Sequence, residues 1–170
     1  MLELQQQQWG KDYFFNSPPV KVIRHYRLAG HQAIKLSLKT GDKLEIFSQD
    51  KTQNSELIVL NSNGKSAPEL LDKRSPVPAV AIKQQLEQTG SAAEGLRSQL
   101  AGWQVDSTHL EQIICISGSE AANLTALNEL DVIIVAAGAK MTVDQQWPVT
   151  EIDIKVTYAE PDKDLLPEQL

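Results

Sequence analysis

The stretch that decides the fold is Leu130–Gly138 (LDVIIVAAG), followed by a Trp-Pro turn at Trp147–Pro148 and then Ile152–Val156 (IDIKV). Both apolar runs are short and rich in β-branched residues, so they predict two buried strands that close a β core. The connection Ala139–Thr150 (AKMTVDQQWPVT) sits where a reactive loop would be expected. It holds no Cys and no His, and its one carboxylate is Asp144. Asp144 and Trp147 are therefore the ligand-binding candidates of this loop.

Strand signals continue towards the N-terminus. Ala33–Leu38 (AIKLSL) alternates, with Ile34, Leu36 and Leu38 on one face. Thr40-Gly41-Asp42 is a turn signal and Leu44–Phe47 resumes the alternation, so Ile34–Phe47 predicts a hairpin. Glu56–Leu60 (ELIVL) predicts a buried strand, and Asn61–Gly64 (NSNG) a turn. Val20, Val22 and Tyr26 are spaced like a further strand. Leu110–Ile116 reads as a strand, Ser117-Gly118-Ser119 as a turn, and Ala121–Leu127 as a short helical or extended segment.

The middle differs. Asp72–Pro78 (DKRSPVP) is a polar, proline-rich connector. Ala79–Gln88 carries Val80, Ile82 and Leu86 at helical spacing. Ser91, with Glu94 three residues on, would cap a second helix over Ala92–Leu100, and Gly102 would stop it. These helices are expected to pack on a sheet. The fold class is thus α+β and mostly β: a β-sandwich or barrel-like core with a helical insertion around residues 79–101. The expected organisation is an N-terminal arm (1–19), one domain (20–158) and an acidic, linker-like tail (159–170).

Composition narrows the function. The 170 residues include 16 Lys and Arg against 22 Asp and Glu, a net charge of −6. That balance argues against a nucleic-acid partner; the cations Lys21, Arg24 and Arg27 read as a solvated strand face. The single cysteine, Cys115, cannot form an intramolecular disulfide, which fits a reducing cytoplasm. Mid-strand, it reads as a buried structural thiol. No apolar run reaches 18 residues, so no membrane span is expected. The N-terminus lacks the basic and apolar regions of a signal peptide.

Motifs for catalysis are sparse. Ser117-Gly118-Ser119 lacks the GxSxG frame, and no phosphate-cradling glycine motif occurs. His25, His31 and His109 show no paired metal-ligand spacing. A metal site could be assembled only through folding, from His25, His31 and a carboxylate such as Asp42. Asp42 and Glu45 otherwise read as solvated turn residues, and Asp131 and Asp153 as outward-facing. Trp103 reads as the rim of the core. No cofactor is expected.

Two blocks resemble the urea-carboxylase-associated domain family. In residues 30–61, Lys39, Gly41, Leu44, Ile46 and Asn61 match its opening strand-turn-strand pattern; in 130–156, Leu130, Asp131, Val132, Pro148 and Ile152 match its closing hairpin. The resemblance implies a domain found beside, or fused to, larger enzymes, aminomethyltransferase-like proteins among them. The family's cysteines and its Cys-Asn-Gly-Tyr-like segment are missing from Ala139–Thr150, and the helical stretch Val80–Leu100 replaces its polar middle. The implied reading is a divergent copy with the fold kept and the site lost. It would be a non-catalytic accessory or ligand-binding module, the N-terminal part or partner subunit of a larger cytoplasmic enzyme of amine or urea-type nitrogen metabolism. The alternative is a metal-dependent hydrolase of an amide or amidine. Partners are another domain or subunit, and homo-oligomerisation stays open.

Overall fold

The computed structural model describes residues 22–49, 51–136 and 151–160. Among these residues, eight strands form two four-stranded antiparallel sheets: β1 (Ile23–Ala29), β2 (Ala33–Leu38), β3 (Lys43–Ser48), β4 (Ser55–Leu60), β5 (Ile114–Ile116), β6 (Ala122–Thr125), β7 (Leu130–Val135) and β8 (Glu151–Thr157). One sheet has the order β1-β8-β3-β6 and the other β2-β7-β4-β5. Successive strands therefore alternate between sheets except at β4 and β5, which pair within one, and this is the arrangement of a jelly roll. The expected α+β, mostly-β sandwich is what the chain forms.

Alternation places the core. Leu36 and Leu38 of β2, Leu57 and Val59 of β4, and Val132 and Ile134 of β7 face Leu44 and Ile46 of β3 and Ile152, Ile154 and Val156 of β8 across the sandwich. All are buried, so one face of each sheet is apolar throughout. The second sheet is apolar on its other face too: Ile58, Leu60, Ile133 and Val135 point outwards and are equally buried. This double burial explains why ELIVL and LDVIIV read as continuous apolar runs.

The cover on that outer face is the helical insertion. Helix α1 (Ala81–Glu87) places Ile82 on it, and helix α2 (Ser91–Gly102) places Leu96 and Leu100. Trp103 packs at the edge of the same cluster, as a core-rim residue should. No helix among the described residues is long and apolar enough to cross a membrane.

Several local expectations are corrected. Ile34–Phe47 is not a hairpin: β2 pairs with β7, whereas β3 pairs with β6 and β8. The Thr40-Gly41-Asp42 turn carries the chain from one sheet to the other. Likewise β7 and β8 do not form a closing hairpin, because they lie in opposite sheets. In both cases the side chains meet across the core instead of the backbones meeting within a sheet. The strand expected over 110–116 shrinks to β5, since Ser107–Leu110 forms a 3-10 turn capped by Asp106. Ser91 is not the cap of α2; Gly90 is, at φ 119, with Ser91 inside the first turn. Of the two readings of 121–127, the extended one holds, with β6 over Ala122–Thr125.

Asp42 is a correction of a different kind. It is 3% exposed, not solvated. Its Oδ2 accepts the Lys39 N–H at 2.8 Å, and its Oδ1 accepts the Ala159 N–H at 2.8 Å. Gly41, at φ 89, donates its N–H to the Ala126 carbonyl at 2.8 Å. The crossover turn is thus tied to the chain that leaves β8. Asp42→Ala leaves both N–H groups without their acceptor and is expected to cost about 2 kcal/mol in chemical unfolding. A loss below about 0.5 kcal/mol would contradict this role.

Candidate functional site

Between the sheets there is no polar cleft for a site to occupy among the described residues, because leucine, isoleucine and valine fill that space. The largest of three concavities among the described residues lies outside it, on the flank where β1 and β2 form the neighbouring edges of the two sheets. This groove, about 540 Å³, is bounded by the β1–β2 turn, by β2 and by α2.

The turn is held from several directions. Gln32 donates its N–H to the Ala29 carbonyl at 3.1 Å, and its Oε1 accepts the Ala29 N–H at 2.9 Å. His31 adopts φ 73 and donates its N–H to the Ala136 carbonyl at 2.6 Å. From α1, the fully buried Gln85 reaches the carbonyls of both His31 and Ala92 at 3.4 Å through its Nε2. One amide therefore joins the turn to the start of α2. The Oε1 of Gln85 has no hydrogen-bond partner among the described residues. On the helix side, Gln99 donates through Nε2 to the Ala33 carbonyl at 3.4 Å. Leu28, Ile34 and Leu96 supply apolar lining, and Gly95 leaves open space where a Cβ would project.

Two smaller concavities are less suited to a ligand. One, about 290 Å³, includes Ser37 and Asp131, but Asp131 already accepts from Ser37 Oγ at 2.6 Å and faces Lys35 at 3.7 Å. The other, about 240 Å³, lies between the end of α2 and the turn after it.

The charged cluster around Arg74 is a structural clasp. Its Nε meets Asp72 Oδ2 at 2.5 Å, and its two terminal nitrogens meet the Glu120 oxygens at 2.5 and 3.2 Å. A fourth bond, at 3.1 Å, goes to the Cys115 carbonyl. The Glu120 hydrogen bond is the main influence holding this guanidinium above its already high range. Its donors are turned to protein acceptors, so the cluster fastens the DKRSPVP connector to β5 and the turn after it.

Cys115 departs from expectation. On the edge strand β5 it points away from the core and is exposed, not buried. Enough protein surrounds the thiol that burial pushes it above the ordinary thiol range. Glu56 adds to that shift and Arg74 opposes it. The pH midpoint for iodoacetamide alkylation is expected to lie higher in the native protein than in the urea-unfolded chain. Equal midpoints, or a lower native one, would contradict this partial desolvation of the thiol.

The three residues of the alternative metal reading are not brought together. His25 lies on the outer face of the first sheet, in register with Lys155. His31 precedes β2 and Asp42 follows it, so the six residues of that strand, about 20 Å, separate them. Asp42 also has both oxygens engaged. Among the described residues no group of three His, Cys, Asp or Glu is placed to hold a metal ion. Asp144 and Trp147 lie outside the described residues. Asp131 and Asp153 do face outwards; Asp153 accepts from Arg27 at 3.0 Å.

Gln32, Gln85 and Gln99 were not legible as site residues. A glutamine in a turn or a helix has no spacing signature, and only the fold shows which of them share a groove. No protein-family model matches the chain, and no curated protein matches it.

Proposed function

We propose that this chain is a non-catalytic accessory or ligand-binding module, working within or beside a larger cytoplasmic enzyme. The observation that supports it is the division of the molecule. The space between the sheets is given over to apolar packing, while a concavity of about 540 Å³, rimmed by hydrogen-bonding side chains, lies on the outer flank. The resemblance of residues 30–61 and 130–156 adds the setting, amine or urea-type nitrogen metabolism.

Detection of the native polypeptide in source cells, with an antibody against this domain, tests the reading. Expected is a band far above 18.8 kDa, or a band at 18.8 kDa that co-sediments with a larger partner. An isolated 18.8 kDa monomer would overturn it. So would one tightly bound zinc per chain that is lost on His25→Ala or His31→Ala substitution.

A further inference from the structure

We propose that the flank groove binds a small neutral carboxamide, a ligand class that rests on the reading of this groove as the binding surface. The inference starts from two side-chain amides whose orientations are dictated by backbone partners. The Ala29 N–H requires an acceptor, so Gln32 turns its Oε1 to it and keeps its NH₂ for other partners. The Ala33 carbonyl requires a donor, so Gln99 turns its Nε2 to it and keeps its Oε1. Both residues line the groove. The groove therefore offers a donor from the turn and an acceptor from the helix, and Ser91 adds a hydroxyl that can act as either.

A carboxamide is the complement of that pair. Its carbonyl accepts from Gln32 and its N–H donates to Gln99. A carboxylate would set a charged oxygen against the Gln99 oxygen, and an ammonium would meet the Gln32 donors. Among the described lining residues there is no carboxylate, ammonium or guanidinium, and the one titratable side chain is the His31 imidazole, so an ion entering the groove would lose water without meeting a permanent counter-charge. The substituent on the carboxamide is apolar and small. Leu28, Ile34 and Leu96 form the surface it would cover, and the absent side chain of Gly95 leaves room beside them. The volume, about 540 Å³, lies within the range of small-molecule sites.

The test is a titration of the full, ¹⁵N-labelled chain followed by amide chemical shifts. The probes are isobutyramide and its charged counterparts isobutyrate and isobutylammonium. Expected are saturable shifts with isobutyramide, confined to residues 28–34 and 91–99, and at least tenfold weaker binding of either ion. Gly95→Leu fills the groove from an exposed helix position and should weaken isobutyramide at least tenfold. Gln99→Leu removes the acceptor and should do the same, which keeps the test open if one variant folds poorly. Saturation by an ion and not by isobutyramide would overturn the ligand class while leaving the groove as a binding surface. Silence with all three probes, or isobutyramide binding unchanged in both variants, would overturn the site itself. The accessory role would still stand or fall on the size of the native polypeptide.

Discussion

Replacing Glu56 with alanine is expected to destabilise the protein by about 3 kcal/mol and to release helix α1 from the sheet. Glu56 lies on β4 and is 3% exposed. Its Oε2 accepts the N–H groups of Val80 and Ala81 at 2.8 and 3.3 Å, and its Oε1 accepts that of Ile82 at 2.6 Å. These are the donors that every helix leaves without an intrahelical partner at its start. Helix α1 has only seven residues, and Val80 at its N-cap makes no side-chain capping bond. A helix that short is marginal without tertiary support. The buried carboxylate supplies it, as a cap reached across the chain and with the sign of charge that a helix N-terminus favours. Glu56→Gln keeps one acceptor oxygen but turns an NH₂ towards a donor, so its cost should fall between wild type and alanine. Urea unfolding measures the ordering, and native-state hydrogen exchange at residues 82–86 should accelerate first. An alanine variant within about 0.5 kcal/mol of wild type would refute the role.

This contact marks the boundary of what could be read from the chain. Strands β2, β3, β4, β7 and β8 were legible because each alternates or runs apolar for five residues or more. The helices were legible from Val80, Ile82 and Leu86 and from the glycines around them. Which strand lies beside which was not legible. Local pattern favours pairing neighbours, and Thr40-Gly41-Asp42 is as good a hairpin signal as it is a crossover. What decides between them is that β2 and β3 each present an apolar face, and burying both faces against each other requires the two strands to lie in opposite sheets. That is a global demand on area, and no window of ten residues contains it. Glu56 shows the same limit for a polar group. Nothing around Glu56 in the sequence marks it as a helix cap, because the N-cap it serves, Val80, lies 24 residues later. Cys115 was misread for a related reason. Its neighbours in IICI are buried, but on so short an edge strand the alternate position turns outwards and is only partly covered. The groove was the least legible part. Its polar groups come from two turns of chain some 60 residues apart, and neither glutamine is unusual where it stands.

Gly118→Ala is expected to cost about 3 kcal/mol, although it adds one methyl group to a turn that looks tolerant. A Cβ built at Gly118 would lie 2.7 Å from the Thr52 carbonyl carbon, 2.8 Å from the Gln53 nitrogen and 2.9 Å from the Gln53 oxygen. All three are backbone atoms, so no side chain can rotate away, and the segment before β4 has to move. That segment is fixed. Gln53 is buried, its N–H donates to Ser48 Oγ at 3.3 Å, and its Nε2 donates to the Asn54 carbonyl at 2.7 Å. Asn54 in turn accepts the Gly118 N–H through Oδ1 at 2.8 Å, and a shift that makes room for the methyl stretches this bond as well. The requirement at this glycine is space, whereas at Gly64 it is conformation: φ there is 76, nothing lies within 4 Å of a new Cβ, and Gly64→Ala should cost only about 1 kcal/mol. At Gly95 neither constraint operates. It sits inside α2 with open space around it, and Gly95→Ala should stabilise the protein by up to about 1 kcal/mol through helix propensity. Denaturation midpoints of the three alanine variants should therefore fall on both sides of wild type, with Gly118→Ala lowest and Gly95→Ala highest. If Gly118→Ala proved no worse than Gly64→Ala, the close approach of the two backbones would be wrong, and with it the seating of residues 52–54 against the turn after β5.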